Sequence, residues 1–148
     1  MGKIIAVCRS FKKQTKKEDV KSAEIIKNQG LLNDAHADPE SHRQISLLAY
    51  ESITEIRETG LNVKYGDFAE NITTKGIDLK SLKIGTLLIA GEEVLLEVTQ
   101  IGKECHSPCE IYKQVGKCVM PSEGVFCRVL NGGNVEVGDE IKVHDDSL

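Results

Sequence analysis

The chain has 148 residues, 40% of them hydrophobic and 28% charged, a length that suits one domain and a composition that can bury a core. Nineteen Lys and Arg against 23 Asp and Glu give a formal charge of -4, which argues against broad affinity for a nucleic-acid backbone. Aromatic residues are only 4%, without tryptophan, so a stacking platform for single strands is missing, and no apolar run approaches the ~20 residues that span a bilayer.

In chain order, Ile4 to Cys8 is a short apolar run that predicts a buried strand. Ser10 to Lys21 is crowded with lysine and reads as a solvated segment able to meet an anion. Asn28-Gln29-Gly30 and Asn33-Asp34 are turn chemistry. They lead into Asp34 to Gln44, a polar loop rich in ligand-type side chains, among them His36, His42 and Arg43. The two histidines are too far apart to share a helical turn, and each alone reads first as a surface or hydrogen-bonding residue. Ala49, Ile53 and Ile56 recur at helical spacing, which predicts an amphipathic helix over Ser46 to Thr59 with Ser46 as its cap and Gly60 just past its end. Asp67, Glu70 and Asn71, near Gly66, read as turn-capping groups.

The second half is punctuated by glycine. Ile84 to Ala90, Glu93 to Ile101 and Val125 to Leu130 read as strands, and Val94, Leu96 and Val98 alternate with Leu95, Glu97 and Thr99. Asn131-Gly132-Gly133-Asn134 is a turn signal, and Val135, Val137, Ile141 and Val143 predict a final hairpin-like pair. Short strands at this spacing favour a mainly β barrel or sandwich with few helices.

Five cysteines, Cys8, Cys105, Cys109, Cys118 and Cys127, are an odd number, and without a secretory signal they read as thiols or metal ligands in a cytoplasmic protein. Cys8 and Cys127 fall within strand-like runs and read as small buried hydrophobes. Cys105-His106-Ser107-Pro108-Cys109 follows the strongest strand, in a loop whose backbone Pro108 restricts. Lys103, His106 and Lys113 favour the thiolate there, while Glu104 and Glu110 oppose it. A structural zinc site is the competing reading, since the Cys105–Cys109 spacing falls in the knuckle range and His106 or Cys118 would complete a tetrahedron. The spacing from Cys109 to Cys118 and on to Cys127 does not repeat the knuckle. A CxxC redox pair, a phosphate-binding loop and a dinucleotide fingerprint are all missing.

Taken together, these segments resemble the MOSC domain, the unit found at the C-terminus of molybdenum cofactor sulfurases and as small stand-alone bacterial proteins. The resemblance spans residues 1–148 as a single domain. It rests on Gly30 with Asp34-Ala35-His36, on Arg43 to Leu48, on Gly66 to Thr74, on Ile84-Gly85-Thr86, on Cys105 to Cys109 and on Gly138-Asp139, all in the family's order. It implies a mainly β, barrel-like MOSC fold with a few short helices. It also implies binding of molybdenum or of the molybdopterin-type molybdenum cofactor through a cysteine thiolate. That residue is Cys109 by the resemblance, with Cys105 and Cys118 as alternatives, and a soft thiolate suits a metal that binds sulfur. Asp34, His36, Arg43 and Asn71 match polar motif positions and are the implied cofactor lining, with Arg43 and the lysines as phosphate partners.

The implied roles are cofactor sulfuration, maturation or delivery, or molybdenum-dependent reduction of N-hydroxylated compounds. The amidoxime-reducing relatives carry an arginine just before the Asn-Ile pair, where Ala69 and Glu70 stand here. In the sulfurases a separate pyridoxal-phosphate desulfurase domain mobilises the sulfur. A cysteine desulfurase would therefore be the partner for sulfuration and an electron-donor protein the partner for reduction.

Overall fold

The structure, a computed structural model, describes residues 2–9, 18–32, 34, 37–41, 44–58, 60, 64–65, 70–101 and 124–144, and only the backbone of Glu18 and Lys80. Its strands are β1 (Gly2–Arg9), β2 (Glu18–Asp19), β3 (Ser22–Ile26), β4 (Gly30–Leu31), β5 (Ile45–Ala49), β6 (Ile72–Lys75), β7 (Leu87–Ala90), β8 (Val94–Ile101), β9 (Val125–Asn131), β10 (Gly133–Glu136) and β11 (Glu140–Val143). Helix α1 (Tyr50–Arg57) follows β5, and a 3-10 turn covers Leu79–Ser81.

The sheet runs β11-β7-β8-β9-β5-β6-β1 and closes through β1 and β11, with β2 added beyond β1, so seven strands form a barrel. Closure removes the open edges that would otherwise pair with other chains. Every neighbouring pair is antiparallel except β5 and β6. A second sheet of β10-β3-β4 packs on the barrel and contributes Ile25, Leu31 and Val135 to its core.

Alternation produces the interior. Val94, Leu96 and Val98 of β8 point inward while Leu95, Glu97 and Thr99 are half-exposed, as the pattern predicts. In β1 a bulge between Ile4 and Ala6 resets the period, so that Ile4 and Val7, three residues apart, both enter the core. One row of register partners runs across five strands: Val7, Ile72, Leu47, Val125 and Ile101.

Four expectations need correction. The helix predicted from Ser46 begins at Tyr50, because Ile45–Ala49 is a strand, and all five of its residues are buried. Strand β5 lies between β6 and β9 with the barrel interior on one side and α1 packed nearby, which yields a continuous apolar run in place of an alternating one. The helical spacing of Ile53 and Ile56 is real, and both are fully buried. Ser46 is no cap; the residue that precedes the helix, Ala49, makes no side-chain cap bond. Gly60 does follow the helix end, its N–H donating to the Arg57 carbonyl at 3.0 Å.

The final pair is not a hairpin either. Strand β10 pairs with β3, while β11 pairs with β7 and β1, so the turn at Val137–Asp139 hands the chain from one sheet to the other. Asn131-Gly132-Gly133 similarly passes in extended form from β9 to β10. A Cβ on Gly132 would stand 2.5 Å from the Ile25 carbonyl oxygen, so glycine is demanded there by close approach. Strand β7 is shorter than predicted, since Ile84 lies in a turn and is 69% exposed.

Leu47 sits at the centre of the five-strand row and is fully buried. Leu47→Ala is expected to lower unfolding free energy by about 2–5 kcal/mol, whereas Ile84→Ala should stay within about 0.5 kcal/mol. Urea denaturation of both variants checks the contrast.

Candidate functional site

The parallel pairing of β5 and β6 brings the starts of both strands side by side, next to the end of β1. A polar seam forms there. The Asn71 Oδ1 accepts from the Ser46 N–H at 3.0 Å and from the Ser46 hydroxyl at 3.2 Å, and its Nδ2 donates to the Cys8 carbonyl at 3.1 Å. Backbone bonds double the clamp, with the Cys8 N–H donating to the Asn71 carbonyl at 2.6 Å and the Asn71 N–H to the Ser46 carbonyl at 3.1 Å. One side chain thus ties β1, β5 and the start of β6. Glu70 beside it is fully buried, its Oε2 accepting from the Thr73 hydroxyl at 3.3 Å. The turn-capping reading of these two residues understates their burial and reach.

A second polar knot lies one residue before β5. Gln44 is fully buried; its N–H donates to the Cys127 carbonyl at 3.1 Å and its Oε1 accepts from the Val129 N–H at 3.0 Å. Its Nε2 donates to the Asn28 Oδ1 at 3.1 Å and to the Asp38 carbonyl at 3.4 Å. Asp34 is buried, its N–H donating to the Leu31 carbonyl and its own carbonyl accepting from the Ala37 N–H, both at 3.1 Å. Arg9, at the end of β1, reaches the same stretch, with its Nη1 donating to the Leu32 carbonyl at 3.3 Å.

Of the residues the sequence singles out, the structure therefore describes Asp34 and Asn71. His36, Arg43, Cys105, Cys109 and Cys118 lie outside the described residues. The chain that carries the three cysteines leaves β8 at Ile101 and re-enters β9 at Val125, and these two are register partners at the end of the row that contains Ile72, the neighbour of Asn71. Arg9 and Gln44 were not legible as site neighbours. Arg9 looked like a strand end, and the Gln44 signal was only its place in the Arg43-Gln44-Ile45 motif.

The donor set decides what these groups can hold. Among the described residues no three His, Cys, Asp or Glu side chains stand together as a metal site. Cys8 and Cys127 are fully buried, and desolvation, together with the nearby Glu97 carboxylate, pushes the Cys127 thiol far up from its ordinary value. Neither suits a soft metal, so any thiolate ligand must come from Cys105, Cys109 or Cys118. A cleft of about 580 Å³ opens between the second sheet and the β7–β8 turn, lined by Glu24, Glu92, Glu93, Glu136 and Asp139. Its carboxylates repel a phosphorylated ligand, and the smaller cleft beside α1 carries Glu51, Glu55 and Asp78.

Comparison with known proteins agrees with this architecture. The sequence model of the MOSC domain matches residues 33–142, a span that contains Asp34, His36, Arg43, Asn71 and the three cysteines. The YuaD protein from Bacillus subtilis superposes with a TM-score of 0.79 at 21% identity, covering 98% of this chain and 97% of that one. YiiM from Geobacillus stearothermophilus gives 0.69 at 17% identity over 100% and 77% of the two chains, and YiiM from Escherichia coli 0.62 at 18% over 97% and 70%. At such identities the likeness is one of fold. No curated protein matches the sequence. No helix among the described residues is long and apolar enough to cross a membrane.

Two outcomes are expected. Asn71→Ala leaves the buried Ser46 N–H without its acceptor and should cost about 2–4 kcal/mol of stability by chemical denaturation. For Cys127 the folded state keeps the thiol protonated while the unfolded chain ionises above about pH 8.5. The stability tied to that proton is thus complete below this value and is lost as pH rises beyond it, by up to about 1.4 kcal/mol per pH unit. Denaturation between pH 8 and 10 should show a shallower decline in Cys127→Ala.

Proposed function

The chain belongs to the MOSC domain family, and from that premise we propose that it binds molybdenum or the molybdopterin-type molybdenum cofactor through the Cys109 thiolate, in sulfuration, maturation or delivery of that cofactor. The observation that carries the reading is the family match over residues 33–142, which takes in every implied site residue in one ordered set. The family is associated with the molybdenum cofactor. The fold supports the reading in a second way, since Ile101 and Val125, which flank the cysteine-bearing chain, share a row with Ile72, next to Asn71.

When bound, the cofactor supplies a metal centre held by pterin sulfurs, and a protein thiolate is a ligand of matching softness. Cys109 is the proposed ligand, with Cys105 and Cys118 as substitutes. Arg43 is the proposed partner of the terminal phosphate, where a guanidinium offers a paired-donor contact. Asp34 and His36 read the pterin amide and amine edge, and Asn71, held by its bonds to Ser46 and Cys8, joins them in the proposed lining. The protein works in a cytoplasmic setting, and sulfur reaches it from a cysteine desulfurase whose own pyridoxal phosphate does the mobilising.

Elemental analysis of the protein from a host that makes molybdenum cofactor, beside Cys109→Ser, tests this. Molybdenum or an added sulfur, seen by mass spectrometry in the wild type and lost in the variant at unchanged thermal stability, is the expected outcome. Equal loading in both sinks the Cys109 assignment. Zinc in both, with unfolding on chelation, replaces the reading by a structural metal site.

A further inference from the structure

We propose that Gln44 is a positioning residue of the proposed site: its side-chain amide sets where Asp34 and the segment 37–41 stand relative to strand β9. The inference rests on the proposed cofactor site for its functional meaning, while the tether itself is a matter of geometry.

Strand β5 begins at Ile45, yet the ladder to β9 continues. The Gln44 backbone donates to the Cys127 carbonyl, and the next β9 donor, the Val129 N–H, is taken up by the Gln44 Oε1 in place of a backbone carbonyl. The carboxamide therefore acts as an extra rung of the barrel. Its other end faces away from β9 and donates to the Asn28 Oδ1 and the Asp38 carbonyl. The assignment of oxygen and nitrogen follows from the partners, because Val129 offers only a donor and Asp38 only an acceptor.

These two anchor points bracket the loop. Asn28 is itself pinned to β9 by its N–H to the Val129 carbonyl at 2.9 Å, and Asp38 is pinned to the same turn by its N–H to the Gln29 carbonyl at 3.0 Å. Asp34 and His36 lie between the anchors in sequence, and Arg43 is bonded to Gln44 through the peptide link. A planar amide with both ends occupied holds the loop and the barrel in one register. The approach is tight, since a Cβ on Gly30, whose φ is +132°, would collide with the Gln44 carbonyl oxygen. A carboxamide supplies an acceptor on one side and a donor on the other at every pH, which an ionised carboxyl does not, so the loss of either end leaves an unmatched partner.

Gln44→Glu separates the two functions. When ionised, its carboxylate still accepts from Val129 but meets the Asp38 carbonyl with no hydrogen to donate, so the variant is compared with wild type at a pH where that carboxyl is ionised. Asn28→Gly is the second variant. It keeps the backbone bond to Val129 and suits the Asn28 φ of +57°, and it removes only the side-chain acceptor. Hydrogen exchange should speed up about tenfold at Ala37, Asp38 and Ser41 in Gln44→Glu relative to wild type, with the β8–β9 ladder unchanged. As pH falls and the new carboxyl gains a proton it can donate again, so the difference from wild type at the same pH should shrink. Molybdenum content after expression in a cofactor-producing host should fall in step with the loosened loop.

Unchanged exchange at residues 37–41 in both variants overturns the proposal, as does full molybdenum loading on a loop shown to be loosened. If Gln44→Glu does not fold, Asn28→Gly decides by the same readouts. If the wild type itself carries no molybdenum, the cofactor reading fails, and the exchange measurement alone decides whether Gln44 tethers the loop.

Discussion

A barrel with one parallel pair of strands faces a connection problem that its antiparallel pairs do not. Strands β5 and β6 run side by side in the same direction, so no tight turn can join them, and the chain must cross from the end of one to the start of the other. Helix α1 occupies part of that crossover and packs against the two strands it connects. The consequence is local and chemical. Two strand starts and one strand end meet at a single place, and the polar groups of Ser46, Asn71 and Cys8 bond across it. Had β5 and β6 been antiparallel, Ser46 and Asn71 would stand at opposite ends of their pair.

The same constraint explains what was readable in the sequence. Strand β8, half-exposed on one face, alternates and is visible at once. Strand β5, covered on all sides, loses its alternation and merges into the helical spacing of Ala49, Ile53 and Ile56, so its residues read as helix. Val135 to Val143 has the composition of a hairpin, and only the pairing of β10 with β3 and of β11 with β1 and β7, all distant in sequence, decides otherwise. Local signals find the strands; long-range pairing assigns their neighbours.

The candidate site was legible in a different way. Asp34, His36, Arg43, Asn71 and Cys109 came from an ordered motif set, and the domain match covers all of them. Asn71 and Asp34 are buried and hydrogen-bonded within the protein. The supporting groups were hidden, because Gln44 and Arg9 act through contacts with Val129, Asn28, Asp38 and Leu32, none of them near in sequence to both. Cys8 and Cys127 are fully buried, as the strand-like runs around them imply.

Closure of the barrel by β1 against β11 has a consequence for how the protein is made. Gly2 and Lys3 pair with Ile141 and Glu140, so during synthesis β1 must wait for the much later β11 before the ring is complete. Until then the edge of β1 that will meet β11 stays unpaired, the kind of surface that joins nascent chains to one another. Such long-range contacts also place the fold among the slower ones.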